Sequence, residues 1–285
     1  MSRVGLVFPT VEIGDDPALI AEWARVAEGL GFSHVLAYDH VLLSVHEDRD
    51  PPLRGPFDIR SPFHEPLVLL GFLAGATRRM ELGTGVLVLP QRQTALVAKQ
   101  AAEVDLLSGG RLRLGLGSGW NHPEYEALGT EWTTRGAVFD EQLEVLRRLW
   151  REPVVDYTGR FHRIDRLALN PRPRRELPLW FGGYSEAALQ RAARAGDGLL
   201  VTPPEVHGLG PHTMDEMRER VAAAGRDPAA FGFDIIVRVP REGWEDQVAL
   251  WREAGSTYIS LVVSGLDSPA EHVAFLPELA RRIGV

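Results

Sequence analysis

The chain has 285 residues, 45% hydrophobic and 25% charged, an ordinary composition for a soluble globular protein of one large domain or two modest ones. A formal charge of −8 argues against nucleic acid as a general partner, because phosphate neutralisation needs a basic face. Without cysteine there are no disulfides and no thiolate metal sites, and no apolar run approaches the roughly 20 residues that span a bilayer. The chain runs straight into a strand-like segment, Val4 to Phe8, without the basic, apolar and cleavage regions of a secretory signal, so a cytoplasmic location is expected.

Short apolar runs then alternate with amphipathic helical patterns throughout. Strands are predicted at Val4–Pro9, His34–Asp39, Met80–Val88, Arg111–Gly117, Leu179–Gly182, Gly198–Thr202, Gly232–Val239 and Tyr258–Val263. Several are apolar on both faces, as parallel strands are. Asp16, Pro17 and Gly31 bracket the first helix, with Leu19, Trp23, Val26 and Leu30 on one face. Thr94 and Gly109 bracket the third helix, and Ser185 and Gly196 the fifth. Thr213 with Glu216 forms a capping box for the sixth, and Ser268-Pro269 opens the last.

Eight such β-then-α units predict a (β/α)8 TIM barrel. A doubly wound sheet is the competitor, but its glycine fingerprint is missing after the first strand, which ends Phe8-Pro9-Thr10-Val11-Glu12. Two stretches are too long for simple connections: Val41 to Glu65 after strand two, and Pro153 to Pro178 before strand five. Within the second, Val154 to His162 reads as a β-hairpin around a Thr158-Gly159 turn. One domain, residues 1–285, with two insertions is the economical account.

In a barrel the strand C-termini share one face, and ligands bind there. Asp39 and His40 end strand two. A histidine there is suited to proton transfer, while the plain alternative has Asp39 holding loop backbone. Thr84-Gly85-Val86 interrupts strand three, either as a bulge or as a backbone distortion pressed against a ligand ring. After strand four, Gly115-Leu116-Gly117-Ser118-Gly119-Trp120 leaves backbone bare of Cβ atoms toward something planar or anionic, and Trp120 offers a wall. Gly182-Gly183-Tyr184-Ser185 precedes the fifth helix, whose free N–H groups can receive a phosphate while Ser185 caps it. Ser264 to Ser268 is a second candidate anion site, and sequence leaves the choice open. His64 and Glu65, at the end of the strand-two insertion, either face the same mouth or, the preferred reading, are surface residues. Lys99, the single lysine, lies in a helical pattern unsuited to a Schiff base. No metal-ligand spacing is present.

These strand ends, in this order, resemble the bacterial-luciferase-like superfamily, specifically its oxidoreductases that use coenzyme F420, a 5-deazaflavin. The resemblance rests on Tyr38-Asp39-His40, Gly83 to Val86, Lys99-Gln100, Asp105 to Arg111, Gly115 to Trp120 with Asn121 and Glu124, and Phe181 to Ser185. It implies a TIM barrel with a cofactor ring at the strand C-termini, F420 or, alternatively, FMN. It further implies a non-proline cis peptide at Gly85-Val86 behind the ring, and a phosphate held by Ser118, Gly119 and Gly183 to Ser185. His40 would be the proton-transfer residue, and Lys99, Asp105 and Arg111 scaffold. The cofactor-binding set is then Asp39, Thr84, Gly85, Val86, Ser118, Gly119, Trp120, Gly182, Gly183, Tyr184 and Ser185. Sugar-phosphate dehydrogenases of this superfamily carry glutamate where Trp120 stands, which speaks against that substrate. The expected activity is hydride transfer between F420 and a small organic substrate, in a homodimer. An FMN-dependent monooxygenase and a non-catalytic flavin-binding barrel are the alternatives. Arg160, Arg163 and Arg166 are candidates to meet the glutamate tail of F420.

Overall fold

The computed structural model describes residues 2–202, 210–239 and 243–285. In chain order the strands are β1 (Arg3–Val7), β2 (His34–Ala37), β3 (Glu81–Thr84), β4 (Leu87–Val88), β5 (Leu112–Gly117), β6 (Val155–Thr158), β7 (Arg163–Leu167), β8 (Leu179–Gly182), β9 (Gly198–Val201), β10 (Gly232–Val239) and β11 (Tyr258–Val263). The main sheet runs β3-β2-β1-β11-β10-β9-β8-β5-β4, and a further β3–β5 pairing closes it. Every pairing in it is parallel. Because β3 and β4 occupy one barrel position, the result is a closed (β/α)8 TIM barrel.

Around it lie α1 (Pro17–Leu30), α2 (Pro66–Ala76), α3 (Thr94–Ser108), α4 (His122–Ala127), α5 (Arg135–Arg151), α6 (Glu186–Ala195), α7 (His212–Ala223), α8 (Trp244–Glu253), α9 (Pro269–Ala274) and α10 (Leu276–Ile283). Among the described residues no helix is long and apolar enough to cross a membrane. Asp16 caps α1 through Ala18 N–H at 2.9 Å, and Gly31 ends it in the left-handed region. Arg111 ties α2 and α3 to the barrel through the Ala74, Met80 and Ser108 carbonyls.

Four local expectations need correction. Strand three is two pieces, because the chain bends at Gly85-Val86 before pairing again with β5. The buried face of α1 centres on Ile20, Trp23, Ala24 and Ala27; Leu19, Val26 and Leu30 flank it. Thr213 lies inside α7 rather than capping it. Pro211 takes the cap position with helical dihedrals, and Thr213 Oγ1 accepts from Gly210 N–H. The hairpin returns later than expected: Glu141 collects the amides of Arg160, Phe161 and His162 at 2.7–2.9 Å, widening the turn so that β7 begins at Arg163.

The barrel interior explains most strand glycines. Register places Gly83, Gly115, Gly117, Gly182, Gly198 and Gly232 on the same inward face as Leu36, Trp180, Leu200 and Ile236. A Cβ at Gly198 or Gly232 would meet the Trp180 ring at 2.6 or 2.5 Å, one at Gly83 would meet Leu36 at 2.7 Å, and one at Gly117 would meet Val86 at 2.4 Å. Small residues thus face large ones across the barrel, and the space is filled.

At the strand N-termini the filling is charged. Arg113 lies 2.7 Å from Asp234 and 2.8 Å from Glu81, between the rings of Trp180 and Tyr258. His34 Nε2 meets Ser260 Oγ at 2.7 Å, and Ser260 donates to Asp234 at 2.8 Å. Burial depresses the His34 pKa to about 3.

Candidate active site

Because the strands are parallel, their C-terminal ends form one rim. To it β2 delivers Tyr38-Asp39-His40, the β3–β4 junction Thr84-Gly85-Val86, β5 Ser118-Gly119-Trp120, and β8 Gly183-Tyr184-Ser185. The expected site residues therefore share one end of the barrel.

His40 is held firmly. Its Nδ1 lies 3.0 Å from Glu124 Oε2, on a side chain fully shielded from solvent. Glu124 Oε1 accepts the Val41 and Leu42 amides at 2.7 and 3.0 Å, and Asn121 Nδ2 donates to Oε2 at 3.2 Å. An acceptor surrounded by donors is a carboxylate: burial alone would raise the Glu124 pKa, but the bonds from His40 and the two amides take it below its ordinary value. With Nδ1–H assigned by that partner, His40 Nε2 is the free acceptor, and it has no hydrogen-bond partner among the described residues. Phe57, Phe63 and Trp120 meet the imidazole edge-on at 5.9, 5.1 and 5.4 Å, so the 41–65 insertion and β5 together wall it.

Other expected residues act within the protein. Asp39 uses both oxygens on Arg92 and one on Val88 N–H (2.8 Å), so its side chain fastens β2 to β4 instead of standing open to a ligand. Burial lifts the Asp39 pKa, with Arg92 opposing it. Thr84 Oγ1 donates to Gly115 O at 2.6 Å. The Gly85-Val86 peptide is cis, as the resemblance implies. Gly115 and Gly117, read as clearing space for a ligand, instead make room for the Thr84 carbonyl and the Val86 side chain. Trp120 covers Gly55 of the insertion, where a Cβ would lie 2.2 Å from its ring.

Beyond this floor two loops stand side by side, because Leu116 pairs with Phe181. Gly119 (φ +64°) and Gly183 (φ +117°) adopt conformations that only glycine takes readily. Ser118 Oγ has no hydrogen bond among the described residues, while its carbonyl accepts from Tyr125. Ser185 caps α6 through Ala188 N–H at 3.3 Å, leaving the Glu186 and Ala187 amides without intrahelical acceptors. Tyr184 OH bonds Thr202. The rival anion site after β11 is already filled: Glu12 takes Gly265 N–H at 2.9 Å, and Glu271 takes Asp267 N–H at 3.0 Å.

Glu124 and Arg92 are the site residues that sequence reading undervalued. The first was read as part of the motif that follows Trp120, without a partner, and nothing in the spacing between 40 and 124 advertises its contact with His40. Glu65 bonds Arg92 at 2.7 Å and caps α2, and His64 lies 3.2 Å from Gly14 O. Lys99 donates to Asn170 O, away from the rim. Two arginine-lined clefts of about 410 and 430 Å³ lie outside the barrel, beside α5.

Known proteins share the sequence in part and the fold as a whole. An uncharacterized protein of Mycobacterium tuberculosis is 34% identical over 203 residues, 70% of this chain and 68% of that protein. The FMNH2-dependent dimethylsulfone monooxygenase of Pseudomonas fluorescens is 31% identical over 190 residues, 66% of this chain and 51% of that enzyme. A solved F420-dependent secondary alcohol dehydrogenase, in complex with an F420-acetone adduct, shares the fold with a TM-score of 0.77 at 19% identity, over 99% of each chain. The model of the luciferase-like monooxygenase family matches residues 3–281, and the chain belongs to that family.

Proposed function

We propose that this protein is a deazaflavin (F420)-dependent oxidoreductase that exchanges a hydride with a carbon of a small organic substrate. The observation that carries the reading is His40: fixed through Nδ1 by a buried carboxylate, with Nε2 unpartnered, on the rim that also holds an unpartnered Ser118 hydroxyl and the open amides of α6. Bound there, the cofactor supplies the two-electron chemistry; the protein's part is orientation, water exclusion and the proton.

The α6 N-terminus, with its partial positive charge, and Ser118 Oγ hold the phosphate. Val86, seated over Gly117 and Gly182, backs the ring. His40 Nε2 takes a proton from the substrate oxygen as a carbonyl forms, or returns it in the reverse direction. Glu124 stabilises the imidazolium without giving up its own place between the Val41 and Leu42 amides. Phe57, Phe63 and Trp120 keep water from the imidazole. The reading includes a homodimer, and a glutamate tail crossing toward Arg160, Arg163 and Arg166. The hairpin carrying those arginines has its tip beside the start of α3, through Thr94 and His162.

A second reading, a reduced-FMN-dependent monooxygenase, is favoured by the dimethylsulfone relative. Fluorescence titration of the purified protein with F420 and with FMN separates the two. Tight binding of F420 alone supports the first reading, and of FMN alone the second. Binding with no turnover under any reductant supports a barrel that keeps the cofactor without the reaction. Failure of both cofactors to bind overturns all three.

A further inference from the structure

We propose that Tyr38 and Arg238 form an oxyanion-receiving pair at the floor of the barrel mouth, so that the small molecule acted on carries a carboxylate or a comparable anionic oxygen. The proposal takes its location from the reading above and adds the chemical class of the ligand.

Register places both side chains inward. Arg238 pairs with Val262 two and four residues beyond Ile236 and Asp234, whose side chains fill the barrel. Tyr38 follows His34 and Leu36 at the same spacing on β2, and packs against the inward cluster of Leu36, Trp180 and Ile236. Burial raises the Tyr38 phenol pKa, and the Arg238 guanidinium opposes that rise.

The contrast with the other inward arginine is informative. Arg113, deep in the barrel, is matched by Asp234 and Glu81 and covered by two aromatic rings. Arg238 has no ion pair or hydrogen bond among the described residues, and neither has the Tyr38 hydroxyl. Arg238 is exposed to water, and Tyr38 is half-buried. A ligand that seals the mouth removes that water, and a cation left dry and unpaired carries a severe desolvation penalty. Binding is therefore selective for a molecule that brings the missing negative charge. Two inward donors, one after β2 and one on β10 with β1 and β11 between them, in a mouth where Val86 and Val262 pack on the same apolar cluster as Tyr38, suit a carboxylate.

The anionic oxygen can belong to the substrate or to the cofactor ring, and calorimetry with separate arms distinguishes these sources. The first arm titrates cofactor-free protein with benzoate and with neutral benzamide, the aromatic ring being chosen to match Phe57, Phe63 and Trp120. The second titrates F420 and FMN. The substrate source predicts that Arg238→Gln weakens benzoate binding by about tenfold or more, the scale of a charged hydrogen bond, with Tyr38→Phe losing less and benzamide unchanged. Arg238→Lys restores part of the affinity, and Arg25→Gln on the exposed face of α1 changes nothing in either arm. A loss confined to the cofactor arm assigns the oxyanion to the ring. Variant affinities equal to wild type in both arms, or no benzoate binding together with unchanged cofactor affinity, overturn the pair. Thermal unfolding checks that each variant is folded. Because the benzoate arm contains no cofactor, failure of F420 and FMN to bind would sink the preceding reading and leave this test intact.

Discussion

Glu124 controls what His40 can do, because one carboxylate orients the imidazole and also pins the chain that carries it. Glu124→Gln keeps the size and replaces an acceptor by a donor. We expect turnover to fall by roughly 10²-fold, the scale of lost acid–base assistance, while cofactor affinity stays near wild type in a fluorescence titration. A second outcome concerns pH. The Glu124 pKa is lower in the folded chain, so the stability its ionised form contributes is complete above the ordinary glutamate range and is lost as pH falls through the folded value. Melting curves of Glu124→Gln should therefore show a shallower decline on the acid side than wild type. His40 as a candidate was legible, since a histidine at a strand end is an unusual choice. Its partner was not, because eighty-odd residues separate them and only barrel closure brings β2 and β5 to the same rim.

At the scale of elements, strand glycines have two opposite meanings. Those at inward barrel positions give way to a particular large neighbour, whereas helical ones such as Gly29 and Gly71 have nothing within 4 Å of the point where a methyl group would stand. Gly198→Ala forces the Trp180 ring aside and should destabilise by about 1–3 kcal/mol, as overpacking does. Gly71→Ala adds helix propensity to α2 and should stabilise by about 0.5–1 kcal/mol. Chemical denaturation of both variants tests the pair, and equal signs would contradict the packing argument. Sequence reading took Gly115 and Gly117 as openings for a ligand because a missing side chain is visible in a sequence and the neighbour that needs the space is not. Strand and helix identity, by contrast, was legible from period alone, with errors where a proline, an anchoring carboxylate or a bend moved an end, as at Pro211, Glu141 and Gly85.

Across the whole molecule, the least apolar layer of the core is at the opposite end of the barrel from the rim. Arg113→Met would strand Asp234 in a solvent-free interior, and we expect a loss of about 3–5 kcal/mol in denaturation, partly recovered by adding Asp234→Asn. His34 sits in the same layer with its pKa depressed from 6.5 to about 3. Between those values the unfolded chain binds a proton that the folded chain refuses, so stability declines as pH drops through that window, by up to about 1.4 kcal/mol per pH unit. His34→Gln should flatten that slope in unfolding measured from neutral pH downward.

Alternation of apolar strands and amphipathic helices determined the barrel by itself, because burying two faces of a parallel sheet leaves few architectures for eight such units. The motifs at the strand ends likewise marked which residues meet at the rim, since a parallel barrel collects every strand C-terminus at one end. Which of those residues stay open to a ligand was decided only by the closed barrel. Asp39, Gly115 and Gly117 are taken up by partners elsewhere in the chain, whereas His40 Nε2, Ser118 Oγ, the Tyr38 hydroxyl and Arg238 have no hydrogen-bond partner among the described residues. Partnership between distant positions is a property of register and closure, and neither is written in local spacing.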